Sequence, residues 1–312
     1  MPDPGLLGAV QQWSSQALGW LHAAHEVGRG HFSADGSSDL SDDVDETYKP
    51  LSECALAASL VLREGVAGAR DTEIARRMIE FCWNQLGQGD VLYERQLRHL
   101  MLSDPMEVYQ SFVVAGLRHR QLDELLASSA TLRAPHVGEV LPNRRLAIAN
   151  ARRVLGVGPE PDWTALASAT WLGATPEPWA LDFNTAYDVT HTVFHLTDWG
   201  AVPSGLPEPM RRYLRQWLPV WVDVWTELGQ WDLVGELLFA DACIGDPQCP
   251  AEAWEPLLAV QHPDGLTPRD NDPVEDDAEL AFKNHEHTAV VAVAAGTLTL
   301  ARALGSSPAP PR

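Results

Sequence analysis

Apolar residues recur with the helical period of 3.6 along almost the whole chain, and Gly, Pro or Asp marks the breaks between these segments. No segment combines strict alternation with a hairpin turn, the pattern typical of paired strands. The sequence therefore predicts an all-α protein. Helices are expected, to within ~2–4 residues at each end, over 5–27, 48–65, 71–87, 90–102, 105–118, 120–129, 143–154, 162–172, 182–199, 208–228, 230–244, 251–261 and 279–304.

Medium-length helices joined by short loops favour antiparallel helix pairs, which close into an α/α toroid or form an irregular multi-helix bundle. A toroid would place the inner helix ends around a central cavity. Residues 1–305 are predicted to form one all-helical domain, and the Pro- and Ala-rich tail at 306–312 is expected to be disordered. Longer irregular segments are expected at 28–46 and 262–277.

The composition of the chain excludes several classes of partner. Its 312 residues carry 43 acidic and 22 basic side chains, a net charge of −21, which would repel nucleic acids and anionic membranes. No apolar stretch reaches the roughly 18 residues of a membrane span, and no basic segment followed by a hydrophobic one marks a signal peptide. The expected protein is cytoplasmic, with no nucleic-acid or membrane partner; its oligomeric state stays open.

Five polar side chains follow one another at steps of four, three, four and three within residues 181–200, which places them on one face of a helix. They are Asn184, Asp188, His191, His195 and Asp198. Imidazole and carboxylate groups on one face favour proton transfer or a bound metal, and we predict Asp188, His191, His195 and Asp198 as catalytic residues. The alternative is a structural hydrogen-bond network between buried side chains.

Metal ligands three or four residues apart on a helix can converge on one ion, so His191, His195 and Asp188 are candidate ligands for a divalent metal. A second candidate pair, His285 and His287, is expected at or near the start of the last helix. These two residues would converge only if one of them lay in the non-helical turn. Exposed surface histidines are the alternative interpretation of that pair.

A stripe of tryptophans at helical spacing, Trp217, Trp221 and Trp225, is most typical of a core and can also line a cavity. We predict that these rings bind substrate together with Asn184 and Tyr187. Motifs for nucleotide binding and for ordinary serine hydrolysis are missing from the sequence. No nucleotide cofactor is therefore expected, and a divalent metal is the cofactor that the residue types suggest.

The segment from Asp43 to Thr47 resembles the Asp-x-Asp-Asp-Thr motif of the class II terpene cyclases, in which the middle Asp protonates an alkene. Asp42, Asp43 and Glu46 also resemble a loose magnesium motif. A solvated acidic loop is the simpler interpretation.

Several stretches resemble an uncharacterised all-helical domain family that is found mainly in actinobacteria and is often encoded near natural-product genes. They are TYKPLSECALAASLVLREG, LPNRRLAIANA, TWLGATPEPWALDFNTAYDVTHTVFHLTDWG and QWDLVGELL. The resemblance implies a biosynthetic context and assigns no catalytic residue.

Two hypotheses of function follow. In the first, the protein is a natural-product tailoring enzyme that uses the Asp/His face for acid/base or metal-assisted cyclisation, elimination, isomerisation or hydrolysis of a small or peptide-like substrate. In the second, it is a non-catalytic helical scaffold that binds a peptide or protein partner. Terpene-cyclase-like protonation is a third and weaker alternative.

Overall fold

Every regular element in the computed structural model, which describes residues 4–26 and 49–305, is a helix, and the all-α prediction is confirmed. The α-helices are α1 (Pro4–Glu26), α2 (Lys49–Glu64), α3 (Ala69–Gln85), α4 (Asp90–Arg98), α5 (Asp104–Val114), α6 (Arg120–Ser129), α7 (Ala134–Val137), α8 (Pro142–Leu155), α9 (Trp163–Ser168), α10 (Trp171–Ala174), α11 (Phe183–Thr197), α12 (Glu208–Glu227), α13 (Trp231–Cys243), α14 (Glu255–Ala259) and α15 (Ala278–Ala303). Short 3₁₀ turns lie at Gly87–Gly89, Pro178–Ala180, Pro203–Gly205 and Ala251–Trp254.

The structure refines several of the predicted boundaries. The helix expected over 162–172 is two short helices, α9 and α10, and the short helix α7 was not expected. The helix expected over 182–199 ends at Thr197, because Asp198 adopts a left-handed conformation with φ of 50°. The predictions for residues 28–46, including the acidic motif, and for the tail at 306–312 fall outside the described residues.

Six helices form a closed circuit of contacts. In order around the circuit, α2 packs against α5, α5 against α8, α8 against α11, α11 against α13, α13 against α15, and α15 again against α2. Other helices pack onto members of this circuit: α1 contacts α15, α3 contacts α2, and α12 contacts α13. None of the described helices is long and apolar enough to cross a membrane.

The six helices of the circuit run in the same direction. First turns meet first turns, since Arg144 of α8 pairs with Glu107 of α5. Last turns also meet, since Arg302 of α15 donates to the carbonyl oxygen of Ala242 in α13 at 3.1 Å. The circuit therefore has an N-terminal end and a C-terminal end, and the two carry different chemistry.

Helix α13, one of the six helices of the circuit, is buried along its whole length. Three of its buried residues are Asp232, Glu236 and Asp241. A buried carboxylate is stable only when hydrogen bonds or opposite charges compensate its lost hydration. Gln248 and Cys249 donate their backbone N–H groups to Asp241. The partners of the other two carboxylates define the candidate site.

Candidate functional site

Helix α11 carries the sequence-predicted site residues, and local interactions fix where it begins and ends. A reciprocal capping box between Asp182 and Thr185 starts the helix, satisfying backbone N–H groups that have no partner within the helix. The left-handed Asp198 ends it four turns later. Valines and leucine along the opposite face pack into the core, which turns Tyr187, Thr190 and His191 toward α13.

Glu236 of α13 is the centre of the polar contacts. Its side chain is 2% exposed, and its Oε1 lies 3.6 Å from Nε2 of His191 and 3.3 Å from Nε2 of His287. Thr190 donates its hydroxyl to the other oxygen, Oε2. Burial alone would raise the pKa of Glu236, but the two imidazoles outweigh it and hold the pKa well below its usual range. Glu236 is therefore a carboxylate.

His287 of α15 is held between carboxylates at both ring nitrogens. Nδ1 lies 3.1 Å from Oε2 of Glu53 in α2, and Nε2 contacts Glu236. Burial opposes a charge on the ring, but Glu53 and Asp232 outweigh it and hold the pKa of His287 well above its usual range. Burial also acts to raise the pKa of Glu53, and His287 lowers it more strongly. The ring is therefore an imidazolium, and each of its two N–H groups faces a carboxylate.

Asp232 completes the arrangement from the first turn of α13, where the helix dipole favours a negative charge. Tyr187 donates its hydroxyl to Oδ2 at 2.6 Å, and Thr288 donates to Oδ1 at 2.8 Å. Oδ2 lies 3.7 Å from Nε2 of His287. Burial and the neighbouring Asp232 both raise the pKa of Tyr187, so the phenol keeps its proton.

Five side chains thus meet toward the N-terminal end of the circuit, from Asp232 in the first turn of α13 to His191 in the middle of α11. We name them the His–carboxylate cluster: His191, His287, Glu53, Asp232 and Glu236. The cluster is open on one side, because the side chain of His191 is 44% exposed and that of His287 is 34% exposed. Among the described residues, Nε2 of His191 lies 3.6 Å from Oε1 of Glu236, slightly beyond hydrogen-bond distance, and Nδ1 has no polar contact. One ring nitrogen of His191 therefore faces a buried carboxylate and the other is free for a ligand.

Glu286, next to His287 on α15, is a buried carboxyl group that differs from those of the cluster in its protonation state. It is 6% exposed, and its Oε1 has no hydrogen-bond partner. Burial raises its pKa, and the charge of Glu53 adds to that rise, to about 8. At neutral pH this side chain is a neutral acid near the carboxylates of Glu53 and Asp232.

Aromatic rings follow one another every four residues from the first turn of α11 to Trp199, two residues beyond its end. The ring centroids lie 5.1 Å apart from Phe183 to Tyr187, 6.3 Å from Tyr187 to His191, 6.1 Å from His191 to His195 and 5.7 Å from His195 to Trp199. Every one of these contacts is edge-to-face, the arrangement that aromatic quadrupoles favour. A series of ring contacts therefore joins the exposed Phe183 to His191 of the His–carboxylate cluster.

His195 does not share the environment of His191. It is buried, and its Nδ1 has no hydrogen-bond partner. Burial, with the positive charges of neighbouring groups, lowers its pKa well below the usual range, so the ring is neutral. The two histidines are neighbours, as their spacing predicts, but only His191 contacts a carboxylate.

Asp188 and Asp198 lie apart from the predicted site. Asp188 is exposed and accepts a hydrogen bond from Asn143 of α8 at 2.8 Å. Asp198 lies beyond the last turn of α11 and accepts from Asn150 at 3.3 Å. Because α8 attracts both side chains, the four predicted catalytic residues do not converge on one point. The prediction of one shared Asp/His face is corrected in this respect.

The predicted substrate-binding residues also lie in different places and do not form one site. Asn184 is exposed in the first turn of α11. Trp221 is buried and donates its indole N–H to the carbonyl oxygen of Pro178 at 3.0 Å, while Trp217 packs against the core. Only Trp225 approaches the ring series on α11, with its centroid 6.1 Å from that of Phe183. Tyr187 alone of this set contacts the His–carboxylate cluster.

His285 and His287 point to different partners. Helix α15 begins at Ala278, so both residues lie in regular helix, where two positions correspond to roughly 200° of rotation. His285 contacts Oε2 of Glu275 at 3.2 Å and His287 contacts Glu53. The expectation of a shared ion is corrected for this pair. Across the described part of the chain, no three His, Cys, Asp or Glu side chains are placed as ligands of one ion.

Sequence reasoning missed the carboxylates of the cluster and Glu286. Asp232 and Glu236 are four residues apart in the otherwise apolar stretch WDLVGELLF, and Glu286 precedes an apolar run in α15. Acidic residues inside apolar helical segments are a signal of paired, buried carboxylates. Glu53 gave no such signal, because its role depends on where α2 meets α15.

Comparison with known proteins gives a family without a known activity. The model of a family described as a domain of unknown function, DUF6895, matches residues 14–297. The chain belongs to this family. No curated protein and no solved structure matches it.

Proposed function

We propose that this member of the DUF6895 family is an enzyme that transfers protons to and from a small or peptide-like substrate, with His191 as the general base and acid. One observation carries the proposal: a half-exposed imidazole has one nitrogen on a buried carboxylate and the other open to a ligand. A base oriented by a second group is the arrangement that general acid–base catalysis requires.

Glu236 would orient the base. As a carboxylate 3.6 Å from Nε2 of His191, it would favour a proton on that nitrogen and so leave the lone pair on Nδ1 open to a substrate. When Nδ1 takes a proton from the substrate, Glu236 stabilises the imidazolium that forms, and the same nitrogen then returns the proton. His287 keeps its own positive charge throughout and balances part of the negative charge around Glu236. This chemistry suits isomerisation, elimination, cyclisation or hydrolysis without a nucleotide.

The rest of the fold supports a more specific proposal. The closed circuit of parallel helices is the contact pattern of an α/α toroid, and we propose that its N-terminal end is the substrate cavity. Natural-product tailoring is proposed on the resemblance to the actinobacterial family alone. Metal catalysis by His191, His195 and Asp188 finds no support, since Asp188 is turned toward Asn143.

The test is incubation of the protein in D₂O with a metabolite extract of cells that carry its gene, followed by mass spectrometry. We expect at least one metabolite to be converted or to gain deuterium, and His191→Gln to slow this by at least roughly 10²-fold. Glu275→Gln is the matched control, because it alters the pair between Glu275 and His285 of α15, which lies outside the cluster. Equal conversion by the wild type and His191→Gln, or no conversion by either, would contradict the proposal.

A second candidate function is a helical scaffold that binds a protein or peptide partner. It is favoured by a group of exposed apolar side chains around α7: Met101, Leu132, Val137, Val140 and Leu141. An exposed apolar patch is commonly a site of interaction. A scaffold would bind its partner equally well after His191→Gln and less well after Val137→Asp, and these results would separate the two candidates.

A further inference from the structure

The hydrogen-bond donors of His287 and of the hydroxyl groups that contact the His–carboxylate cluster are already occupied. Tyr187 and Thr288 donate to Asp232, and Thr190 donates to Glu236. Both ring nitrogens of His287 face carboxylates. The polar hydrogens of these four side chains are therefore committed within the protein, and they leave no donor for a ligand.

Acceptor atoms, in contrast, remain free. Glu53 contacts His287 through Oε2 only, and Nδ1 of His191 has no partner among the described residues. The Oε1 of Glu286 is unpartnered in a side chain that is 94% buried. Glu286 interacts electrostatically with Glu53, His287 and Asp232, and a cation bound beside it would favour its ionised form, which only accepts hydrogen bonds. A ligand that satisfies these atoms must supply several hydrogen-bond donors.

The charge balance also favours a cation. Three carboxylates of the cluster face one imidazolium, and the neighbouring positive groups are peripheral. Lys49 is exposed at the start of α2, and Arg269 pairs with Asp270 at 3.0 Å. An ammonium group carries three N–H donors and one positive charge, which matches both requirements.

The aromatic rings beside the cluster can hold the rest of such a ligand. Phe183 is 46% exposed and packs edge-to-face on Tyr187, whose hydroxyl reaches Asp232. Aromatic faces attract cations and pack against hydrocarbon groups. A metal ion is disfavoured at the same place, because both nitrogens of His287 are protonated and offer no lone pair.

We infer that the substrate carries a primary ammonium group, which binds beside Glu53 and Glu286, with its hydrocarbon part against Phe183 and Tyr187. The inference rests on the proposed proton-transfer function and names the substrate class for that site. An amine fits this site better than a carboxylic acid or a phosphate, because the cluster offers those groups only negative charge.

The experiment is a set of titrations of the full chain with benzylamine, benzyl alcohol, benzoate and zinc chloride, followed by the ¹⁵N ring signals of His191 and His287. Benzylamine should bind at least roughly tenfold more tightly than benzyl alcohol, which has the same shape without the charge. Benzoate should not bind. Equal affinity for benzylamine and benzyl alcohol, or zinc binding that displaces benzylamine, overturns the inference.

Variants assign the binding to the named groups. Glu53→Gln should weaken benzylamine binding at least roughly fivefold, and Phe183→Ala, at a side chain that is 46% exposed, should weaken it about threefold. Glu275→Gln should leave it unchanged. If neither Glu53→Gln nor Phe183→Ala has an effect, the site is wrong. His191→Gln separates the two proposals, because it should abolish turnover while benzylamine still binds; binding without any dependence of turnover on His191 contradicts only the proposed function.

Discussion

The two ends of the six-helix circuit carry side chains of opposite charge, each placed against the partial charge of the helix termini at that end. Helix N-termini carry partial positive charge, and there the protein places carboxylates such as Asp232. Helix C-termini carry partial negative charge and unpaired carbonyl oxygens, and there it places arginines. Arg63 donates to the carbonyl oxygens of Asp198 and Trp199, Arg153 to that of His195, and Arg302 to that of Gly200.

The two ends also differ in the polar groups that remain without a partner. At the C-terminal end, arginine side chains occupy the carbonyl oxygens of the last turns, and three successive residues with positive φ, Asp198, Trp199 and Gly200, lie beneath them. At the N-terminal end, His191 and His287 remain partly exposed and acceptor atoms remain free. The C-terminal end is therefore held by completed hydrogen bonds, whereas the N-terminal end keeps partly exposed polar side chains that a ligand could contact.

The strongest test of the comparison is Arg63→Ala at the C-terminal end. Arg63 binds two carbonyl oxygens and pairs at 2.8 Å with Glu64, whose side chain is 1% exposed. Removing the guanidinium strands a buried carboxylate, so we expect a loss of roughly 3–5 kcal/mol in the free energy of unfolding, measured by urea denaturation. The matched control is Arg77→Ala, which breaks an exposed pair with Glu73 and should cost under about 1 kcal/mol. Equal losses would refute the assignment of stability to this end.

A smaller loss is expected from Gly200→Ala at the same end. Gly200 has φ of 84°, and a Cβ atom there would lie 2.5 Å from Cδ2 of Leu298. The backbone strain and the clash together should cost about 2–3 kcal/mol in thermal or urea unfolding. Gly65 has φ of 66° with nothing within 4 Å of the added atom, so Gly65→Ala should cost only about 1 kcal/mol. A cost at Gly200 no greater than at Gly65 would show that this turn is not tightly packed.

At the N-terminal end, Glu286→Gln should stabilise the protein, and the gain should depend on pH. Burial raises the pKa of Glu286 from its ordinary 4.5 to about 8, so the folded state holds a proton that the unfolded state releases between these values. Wild-type stability should therefore fall as pH rises from 4.5 to 8, and the variant should lack this loss. We expect little gain at pH 4 and a gain that grows as the pH rises toward 8, from melting curves across pH. A pH-independent difference would contradict the assigned state of Glu286.

The smallest effect on stability should come from His191→Ala. The side chain is 44% exposed, and Glu236 keeps its contacts with His287 and Thr190 without it. We expect the melting temperature to stay within about two degrees of wild type, a shift worth under roughly 1 kcal/mol. A much larger drop, with no loss of a bound ligand, would favour the scaffold and would place His191 among the structural groups of the molecule.

Local patterns in the sequence were sufficient for the helices and for one part of the site. The period of apolar residues predicted the all-α class, and the spacing of His191 and His195 correctly predicted that they are neighbours on one helix. The spacing did not predict that Asp188 and Asp198 turn away, because the side chains that attract them, Asn143 and Asn150, belong to another helix. Helical periodicity describes a face; it does not identify which neighbour each residue of that face meets.

The sequence by itself determined helix periods, caps, turns and the acidic balance of the chain, because these depend on residues a few positions apart or on composition alone. Only the tertiary structure decided that Glu53, Asp232 and Glu236 surround His287, since 234 positions separate Glu53 from His287. It also decided charge states, leaving His287 charged, His195 neutral and Glu286 protonated. A pKa depends on burial and on opposing charges, and both exist only after the six helices have packed together.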